Sequence, residues 1–271
     1  MLTSLAFLIP HLPTLVLDEH RHHQTPMLDA LARSSERFLA DSPAAIVALS
    51  ARWESPGPFL VDRGKHHATI TDYTGFGVEV RYDCKGHPAL ARALVDAGQK
   101  AGIRVGAADR GVDSGITVPL HFLVPRGGIP VVPISLSLRP AAECRAWGVA
   151  LRSALSRWPE RVAFVVGGVL SNNLHAWNLK RDVPEAKEFD DRLLAAIGRG
   201  EWSALASGEA DVREKAQPEA ELRHLEVLRG FLASETRGEV RCYQSEPGVG
   251  AALVEFAVME SVHAAPPETS V

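Results

Sequence analysis

His11 is the residue whose type and position most favour chemistry in this chain. It follows the short apolar run of residues 5–9 and lies between Pro10 and Pro13. This places it in a loop at the exit of a predicted strand, where α/β folds often carry reactive groups. Because neutral imidazole is a common ligand of transition metals, His11 is a candidate metal ligand or acid–base group. Other signals are weak, since no G-x-S-x-G, P-loop or G-x-G-x-x-G motif follows a strand.

Most of the other ten of the eleven histidines have ordinary structural interpretations. Six lie in polar stretches and are predicted to face solvent: His20, His22, His23, His66, His67 and His224. His121 and His175 lie in apolar surroundings and are predicted to be hydrogen-bonded core residues. The histidine content alone therefore does not predict a metal site.

Short apolar runs alternate with segments of helical spacing along much of the chain. Strands are predicted at residues 5–9, 44–50, 129–136 and 162–166, and helices at residues 27–39, 88–101 and 141–158. This alternation predicts an α/β fold with a central, mostly parallel or mixed sheet flanked by helices. The charged segment 184–234 predicts a helical lobe. Residues 238–262 predict a further strand and a buried apolar segment.

Composition excludes several classes of protein. The 271 residues carry 29 Lys and Arg against 33 Asp and Glu, a net charge of −4 with no basic block, which argues against nucleic acid or an anionic membrane as partner. Three distant cysteines predict neither disulfides nor a thiolate zinc site, which favours the cytoplasm. No apolar run is long enough for a membrane span or signal peptide. We expect one domain over residues 1–262 and a flexible tail over 263–271.

Six stretches of the chain, in order, resemble the class III extradiol ring-cleavage dioxygenases, the LigB-like family. They are IPHLP (9–13), ALSARW (48–53), GVDSGITVPLHFLVP (111–125), IPVVPISLS (129–137), GGVLSNNL (167–174) and AALVEFAVM (251–259). The resemblance implies a single LigB-like α/β domain. It also implies a non-haem Fe(II) held by two histidines and a carboxylate, with a further histidine acting as acid and base.

The residues at four of the five functional positions of that family pattern differ in chemistry here. His11 matches the first iron ligand, but the second ligand falls on Arg52, the carboxylate on Ala252, the acid–base histidine on Asn172 and a supporting histidine on Ser114. A guanidinium has no lone pair to offer and stays protonated. Alanine offers no ligand, and asparagine does not shuttle protons near neutral pH. We therefore expect this chain to hold no metal or other cofactor and to have no catalytic residue.

This pattern of losses resembles the non-catalytic α-subunit of the two-component 2-aminophenol 1,6-dioxygenases. The resemblance implies an α2β2 heterotetramer in which a homologous β-subunit carries Fe(II). The complex would open 2-aminophenol, or a chlorinated analogue, to 2-aminomuconate 6-semialdehyde. Segment 184–234 and an exposed Trp202 are expected to contribute to docking. We further expect Arg52 to supply positive charge in place of the iron.

Two alternatives remain open. The chain could be a divergent dioxygenase active by itself, with His175, His121 or Glu255 replacing the lost residues. It could also be a Memo-like protein that binds a small aromatic molecule or a peptide in the vacant cleft.

Overall fold

The computed structural model of the chain describes residues 1–73, 77–232 and 235–258, in which an eight-stranded sheet lies between two layers of helices. The strands are β1 (Leu2–Ile9), β2 (Ala45–Ser55), β3 (Phe59–Asp62), β4 (His66–His67), β5 (Cys84–Lys85), β6 (Val105–Ala108), β7 (Val131–Ser137), β8 (Val162–Gly167), β9 (Gly238–Glu246) and β10 (Val249–Ala257). The α-helices are α1 (Pro13–His20), α2 (Pro26–Ala40), α3 (Pro88–Lys100), α4 (Ser114–Leu123), α5 (Ala141–Ser156), α6 (Leu174–Asn178), α7 (Pro184–Arg199), α8 (Ala210–Ala216) and α9 (Arg223–Phe231). Short 3-10 turns cover Trp202–Ala206 and Glu219–Leu222. Within these described ranges, no helix combines the length and the hydrophobicity needed to cross a bilayer.

The strand order of the large sheet is β6-β3-β7-β2-β8-β1-β10-β9. The central neighbours β7, β2, β8 and β1 run parallel, whereas β10 and β9 form an antiparallel edge. The single α/β domain with a mixed, largely parallel sheet that the sequence predicts is therefore confirmed. In this topology the carboxyl ends of β1, β2 and β8 meet at one edge of the sheet.

The central strands form because their sequences are apolar on both faces. All seven residues of β7 and all six of β8 are buried, as expected of parallel strands that helices cover on both sides. One core contains Trp147, Phe164 and Phe231, and the core on the opposite face contains Phe7 and Phe38. The central strands are thus covered on both faces and support the loops at their carboxyl ends.

The helices predicted between residues 184 and 234 are present, but they do not form a separate lobe. Helix α9 packs against α5 over the sheet, and α7 packs against α8 and β9. They bury leucines such as Leu193, Leu225 and Leu228 in the main core. The end of this segment at residue 234 and the predicted tail 263–271 lie outside the described residues, as does the predicted domain end at residue 262.

The prediction that Trp202 is exposed was wrong. Its side chain is buried, its indole N–H donates to the Thr236 carbonyl, and its ring lies 5.6 Å from the ring of Phe256. Trp202 is therefore a core residue that exposes very little surface. Leu179, on the other hand, is 61% exposed just beyond α6.

Four histidine predictions were also wrong. His67 and His224 are buried, whereas His175 is exposed and His121 is half-buried beside Glu19. In each case, packing between distant segments decides the environment. His67 shows this clearly, because its Nε2 lies 3.1 Å from the Val131 carbonyl of a different strand. Local polarity in the sequence did not contain this information.

Candidate functional site

A cavity of about 220 Å³ lies where β1, β2 and β8 end. Four of the five predicted positions line it: His11, Arg52, Ser114 and Asn172. His11 comes two residues after β1, and Asn172 comes from the loop after β8. Open α/β sheets bind ligands at this kind of edge, outside the carboxyl ends of the strands. The topology therefore brings together four side chains that are spread over 162 positions of the sequence, from residue 11 to residue 172.

Arg52 reaches the cavity because β2 is bulged. Ser50 pairs with Ser135 and Glu54 pairs with Leu136, so residues 51–53 lie between two adjacent positions of β7. A bulge of this kind bends the strand and redirects its side chains, and such bulges are frequent beside functional sites. Here it leaves the Arg52 side chain 35% exposed, at the cavity wall.

His11 is held by a carboxylate that sequence reasoning missed. Its Nε2 lies 2.8 Å from Oε1 of Glu219, and both side chains are buried. Burial opposes a charge on His11, but the Glu219 carboxylate outweighs it and raises the pKa of His11 above its ordinary value. Burial likewise raises the pKa of Glu219, but His11 reverses the shift and the net pKa is lowered. Both shifts favour the ion-pair form of these two buried residues, with the proton on His11.

Glu219 is positioned by a turn of unusual backbone conformation. Residues 220–222 have φ angles of 48°, 53° and 59°, a left-handed conformation that costs L-residues on the order of 1 kcal/mol each. The turn directs Glu219 inward, where its backbone N–H donates to the Leu170 carbonyl at 2.9 Å. Its carboxylate accepts a hydrogen bond from the Val169 N–H at 2.7 Å. These contacts tie the turn to the loop after β8 and offset the strain.

His224 lies beside this ion pair and is fully buried. Neither of its ring nitrogens makes a hydrogen bond of normal geometry with a described residue. Burial lowers its pKa to about 4, and the nearby Glu219 carboxylate offsets this only in part. The ring packs tightly against Gly168, since a Cβ at that position would lie 2.9 Å from Nε2 of His224. His224 is therefore neutral at physiological pH.

Arg52, Asp72 and Ser114 form a second polar group, of which Arg52 and Ser114 line the cavity. The Nε of Arg52 donates to Asp72 Oδ2 at 3.3 Å, and the Ser114 hydroxyl donates to the same oxygen at 2.9 Å. The Ser114 backbone N–H donates to Asp72 Oδ1 at 3.0 Å. The carboxylate of Asp72 thus accepts three hydrogen bonds, two from the first turn of α4 and one from β2. Asp72 gave no signal in the sequence, because it belongs to no motif.

Asn172 occupies the rim of the cavity with its backbone fixed. Its N–H is shared between the carbonyls of Ala216 and Gln217, each at 3.1 Å. It also forms an isolated bridge with Val249. The side-chain amide can donate and accept hydrogen bonds at this position, but it does not titrate and so cannot carry a proton.

Comparison with known proteins agrees with this architecture. The family model described as "Catalytic LigB subunit of aromatic ring-opening dioxygenase" matches residues 5–254. The chain belongs to the LigB family. The fold agrees as well, since the crystal structure of an uncharacterized protein from Escherichia coli K12 superimposes with a TM-score of 0.71 at 21% identity, over 94% of this chain and 100% of that one.

Curated relatives of this LigB chain are dioxygenases. The dioxygenase tasH of Hapsidospora irregularis is 28% identical over 70% of this chain and 57% of its own length. The 4,5-DOPA dioxygenase extradiol of Beta vulgaris is 31% identical over 48% of this chain and 49% of its own length. A 4,5-DOPA dioxygenase extradiol-like protein of Schizosaccharomyces pombe is 28% identical over 57% and 54%. The chain thus spans about half the length of these relatives.

The donor set of this LigB chain does not fit the Fe(II) that the family resemblance implies. Nε2 of His11 donates to Glu219 and so has no free lone pair, and Arg52 places a cation at the wall where a second ligand is expected. His11, Glu219 and His224 include suitable donor types, but they do not converge. In the part of the chain that the structure describes, no three His, Cys, Asp or Glu side chains are arranged to hold a metal ion.

The other candidate ligands lie away from the cavity. Ala252 is buried in the apolar core of β10 and does not line the cavity. Glu255 accepts hydrogen bonds from Arg37 and Arg241, so its carboxylate belongs to a separate ion-pair cluster. His175 and His121 do not line the cavity either. A carboxylate that the structure does bring to this edge is that of Glu219, 33 residues before Ala252 in the chain.

Proposed function

We propose that this LigB-family chain is the non-catalytic α-subunit of a two-component extradiol-type dioxygenase. Its partner in the proposal is a homologous β-subunit that carries Fe(II), and the assembly is an α2β2 heterotetramer. The substrate class follows the resemblance described above: 2-aminophenol or a chlorinated analogue, opened to 2-aminomuconate 6-semialdehyde. The chain contributes to the enzyme by stabilising its partner rather than by performing chemistry.

The observation that carries this proposal is the arrangement of Arg52 and His11 around the cavity. Arg52 lies at the wall, and its cation repels a divalent ion. Glu219, at 2.8 Å, holds His11 in a buried ion pair. One histidine engaged in this way cannot retain Fe(II) against water, because such sites rely on three or more ligands of fixed geometry. Glu219 therefore engages His11, the one residue of this chain that matches a metal ligand of the family pattern.

Metal analysis of the isolated chain tests the loss of the iron site. The chain is incubated with Fe(II) without oxygen, passed over a desalting column and analysed for bound iron. We expect far less than one iron atom per chain, and no ring-opened product from 2-aminophenol. One tightly bound iron atom, lost in His11→Ala but retained in His175→Ala, would instead identify a divergent enzyme that works alone.

Co-expression tests the assembly. The partner for this experiment is a LigB-family chain that retains both histidines and the glutamate. Size-exclusion chromatography with light scattering should show a complex containing both chains in equal number, with 2-aminophenol cleavage that requires both. The subunit role would be refuted if this chain stays monomeric when the active chain is added and the active chain is fully active without it.

A further inference from the structure

Helix α5, which the structure describes throughout, has no charged residue at its most exposed positions. A helix at a protein surface usually turns charged side chains to solvent, and α7 does so with Lys187, Glu188 and Asp191. The exposed residues of α5 are instead small or apolar: Ala141, Ala142, Ala146, Val149 and Ser153. Val149 is 55% exposed. The outer face of α5 therefore lacks the side chains that normally favour contact with water.

The charged side chains of α5 lie at the sides of the helix and bind within the chain. Glu143 pairs with Arg139 at 2.6 Å, and Arg145 pairs with Glu226 at 3.2 Å. Arg152 donates to the last carbonyl of α9 at 3.1 Å. These contacts engage the charges of α5 with its own surroundings and leave its outer face apolar.

A groove of about 530 Å³ lies between α5 and α3. The two helices are antiparallel, since the ring of His87, just before α3, lies 5.7 Å from that of Trp158, just after α5. At the other end, Gly98 of α3 packs against Trp147 of α5. The apolar lining of the groove consists of Ala97, Ala101, Ile103, Ala146, Val149 and Ala150. A groove lined by such short side chains fits the apolar face of a further helix.

Lys100 and Arg157 line this groove at its opposite ends. Lys100 is the last residue of α3 and Arg157 follows α5, so the antiparallel arrangement separates them. Neither side chain makes a hydrogen bond or an ion pair with the residues that the structure describes. Among the described residues that line the groove, none is acidic. The groove is thus an apolar surface with an unneutralised cation at each end.

The like charge of the two ends determines which partner fits. A second copy of this chain would bring cations against Lys100 and Arg157 in either orientation, and like charges in contact oppose association. A helix with a carboxylate at each end of its apolar face would pair with both cations. The groove extends over about 16 Å from Ala146 to Arg157, at a helical rise of about 1.5 Å per residue. These carboxylates would therefore lie about three helical turns apart.

We propose that the groove between α3 and α5 docks such an acidic, amphipathic helix of the iron-bearing β-subunit. Val149 contacts the apolar face of that helix, and Lys100 and Arg157 pair with its carboxylates. The inference rests on the proposed function, because it locates the docking surface for the same partner. This surface lies outside segment 184–234, in which the sequence predicted docking.

The dissociation constant of this chain and the partner chain of the co-expression experiment tests the proposal, measured by analytical ultracentrifugation. Val149→Glu should weaken the complex about tenfold or more, because it places a carboxylate in an apolar contact. Lys100→Glu combined with Arg157→Glu should weaken it about tenfold at low salt. Raising NaCl from about 0.05 M to about 0.5 M should weaken the parent complex more than that of the double variant, because salt screens the ion pairs.

Leu179→Glu and Arg181→Glu are the matched controls, because they make the same changes at exposed positions outside the groove. Both should bind as the unmodified chain does, and thermal unfolding of each variant establishes that it is folded. If the parent complex forms but Val149→Glu or the double variant binds as tightly, the inference is overturned and the proposed function stands. Equal weakening in the controls overturns it in the same way. If the unmodified chains form no complex, both proposals fail.

Discussion

His224 should make the stability of this protein sensitive to mild acid. The side chain is fully buried, neither ring nitrogen has a hydrogen-bond partner among the described residues, and its pKa is lowered to about 4. In the unfolded chain the same imidazole has a pKa of roughly 6.5. Between pH 6.5 and pH 4, this imidazole is therefore protonated in the unfolded state but neutral in the folded state. The stabilisation is fully present above pH 6.5 and is lost as the pH falls towards 4.

The size of this effect follows from the two pKa values. Between pH 7.5 and pH 4.5, the unfolded state gains about 2.5 kcal/mol over the folded state from this one group. His224→Leu removes the titrating group and replaces it with an apolar side chain that needs no hydrogen bond. The loss of stability over this pH interval should therefore be about 2.5 kcal/mol smaller in the variant. Near pH 7.5 the variant should be about as stable as the parent, or slightly more stable.

Urea unfolding at pH 7.5, 6.5, 5.5 and 4.5 measures this difference. The carboxylates titrate in both proteins, so subtracting the two stability curves isolates the contribution of His224. His175→Leu is the matched control, because it removes an exposed imidazole and should leave the pH dependence unchanged. If His224→Leu and the parent lose stability in parallel down to pH 4.5, the assignment of His224 as a buried neutral group is incorrect.

Three further predictions concern the surroundings of the site. Glu219→Ala leaves Nε2 of His11 and the buried Val169 N–H without an acceptor and should destabilise the fold by about 2–5 kcal/mol in urea unfolding; a loss below 1 kcal/mol would contradict the structural role of Glu219. Burial raises the pKa of Asp190 to about 6, so its ionisation opposes folding as the pH rises above 4; Asp190→Asn should therefore be more stable at pH 7 by up to about 3 kcal/mol, with no gain at pH 4 by the same measurement. A Cβ on Gly167 would lie 1.7 Å from the Gly115 carbonyl, so Gly167→Ala should lower the melting temperature by an amount corresponding to about 3 kcal/mol; an unchanged melting temperature would show that α4 can move away from β8.

Residues close together in the sequence determined much of this protein. Apolar runs such as 162–166 predicted the buried strands, because a parallel strand covered on both faces needs no polar side. Two features of the sequence indicated the edge of the sheet at which the site residues meet. They are the strand-to-loop transition at His11 and the short sequence motifs around Arg52, Ser114 and Asn172. The LigB family and the α/β fold could be predicted for the same reason, since both depend on patterns of neighbouring residues at several places along the chain.

The tertiary structure alone decided which groups contact one another at the site. Glu219 lies 208 positions from His11 in the chain, and a left-handed turn brings it within 2.8 Å. No local periodicity or motif encodes that contact. The environment of His224 and of Trp202 was predicted wrongly for the same physical reason: burial depends on surfaces contributed by distant elements. Ala252, which a motif assigned to the metal site, lies in the core instead. The motif places the residue in a strand, but it does not specify which segment of the chain covers that strand.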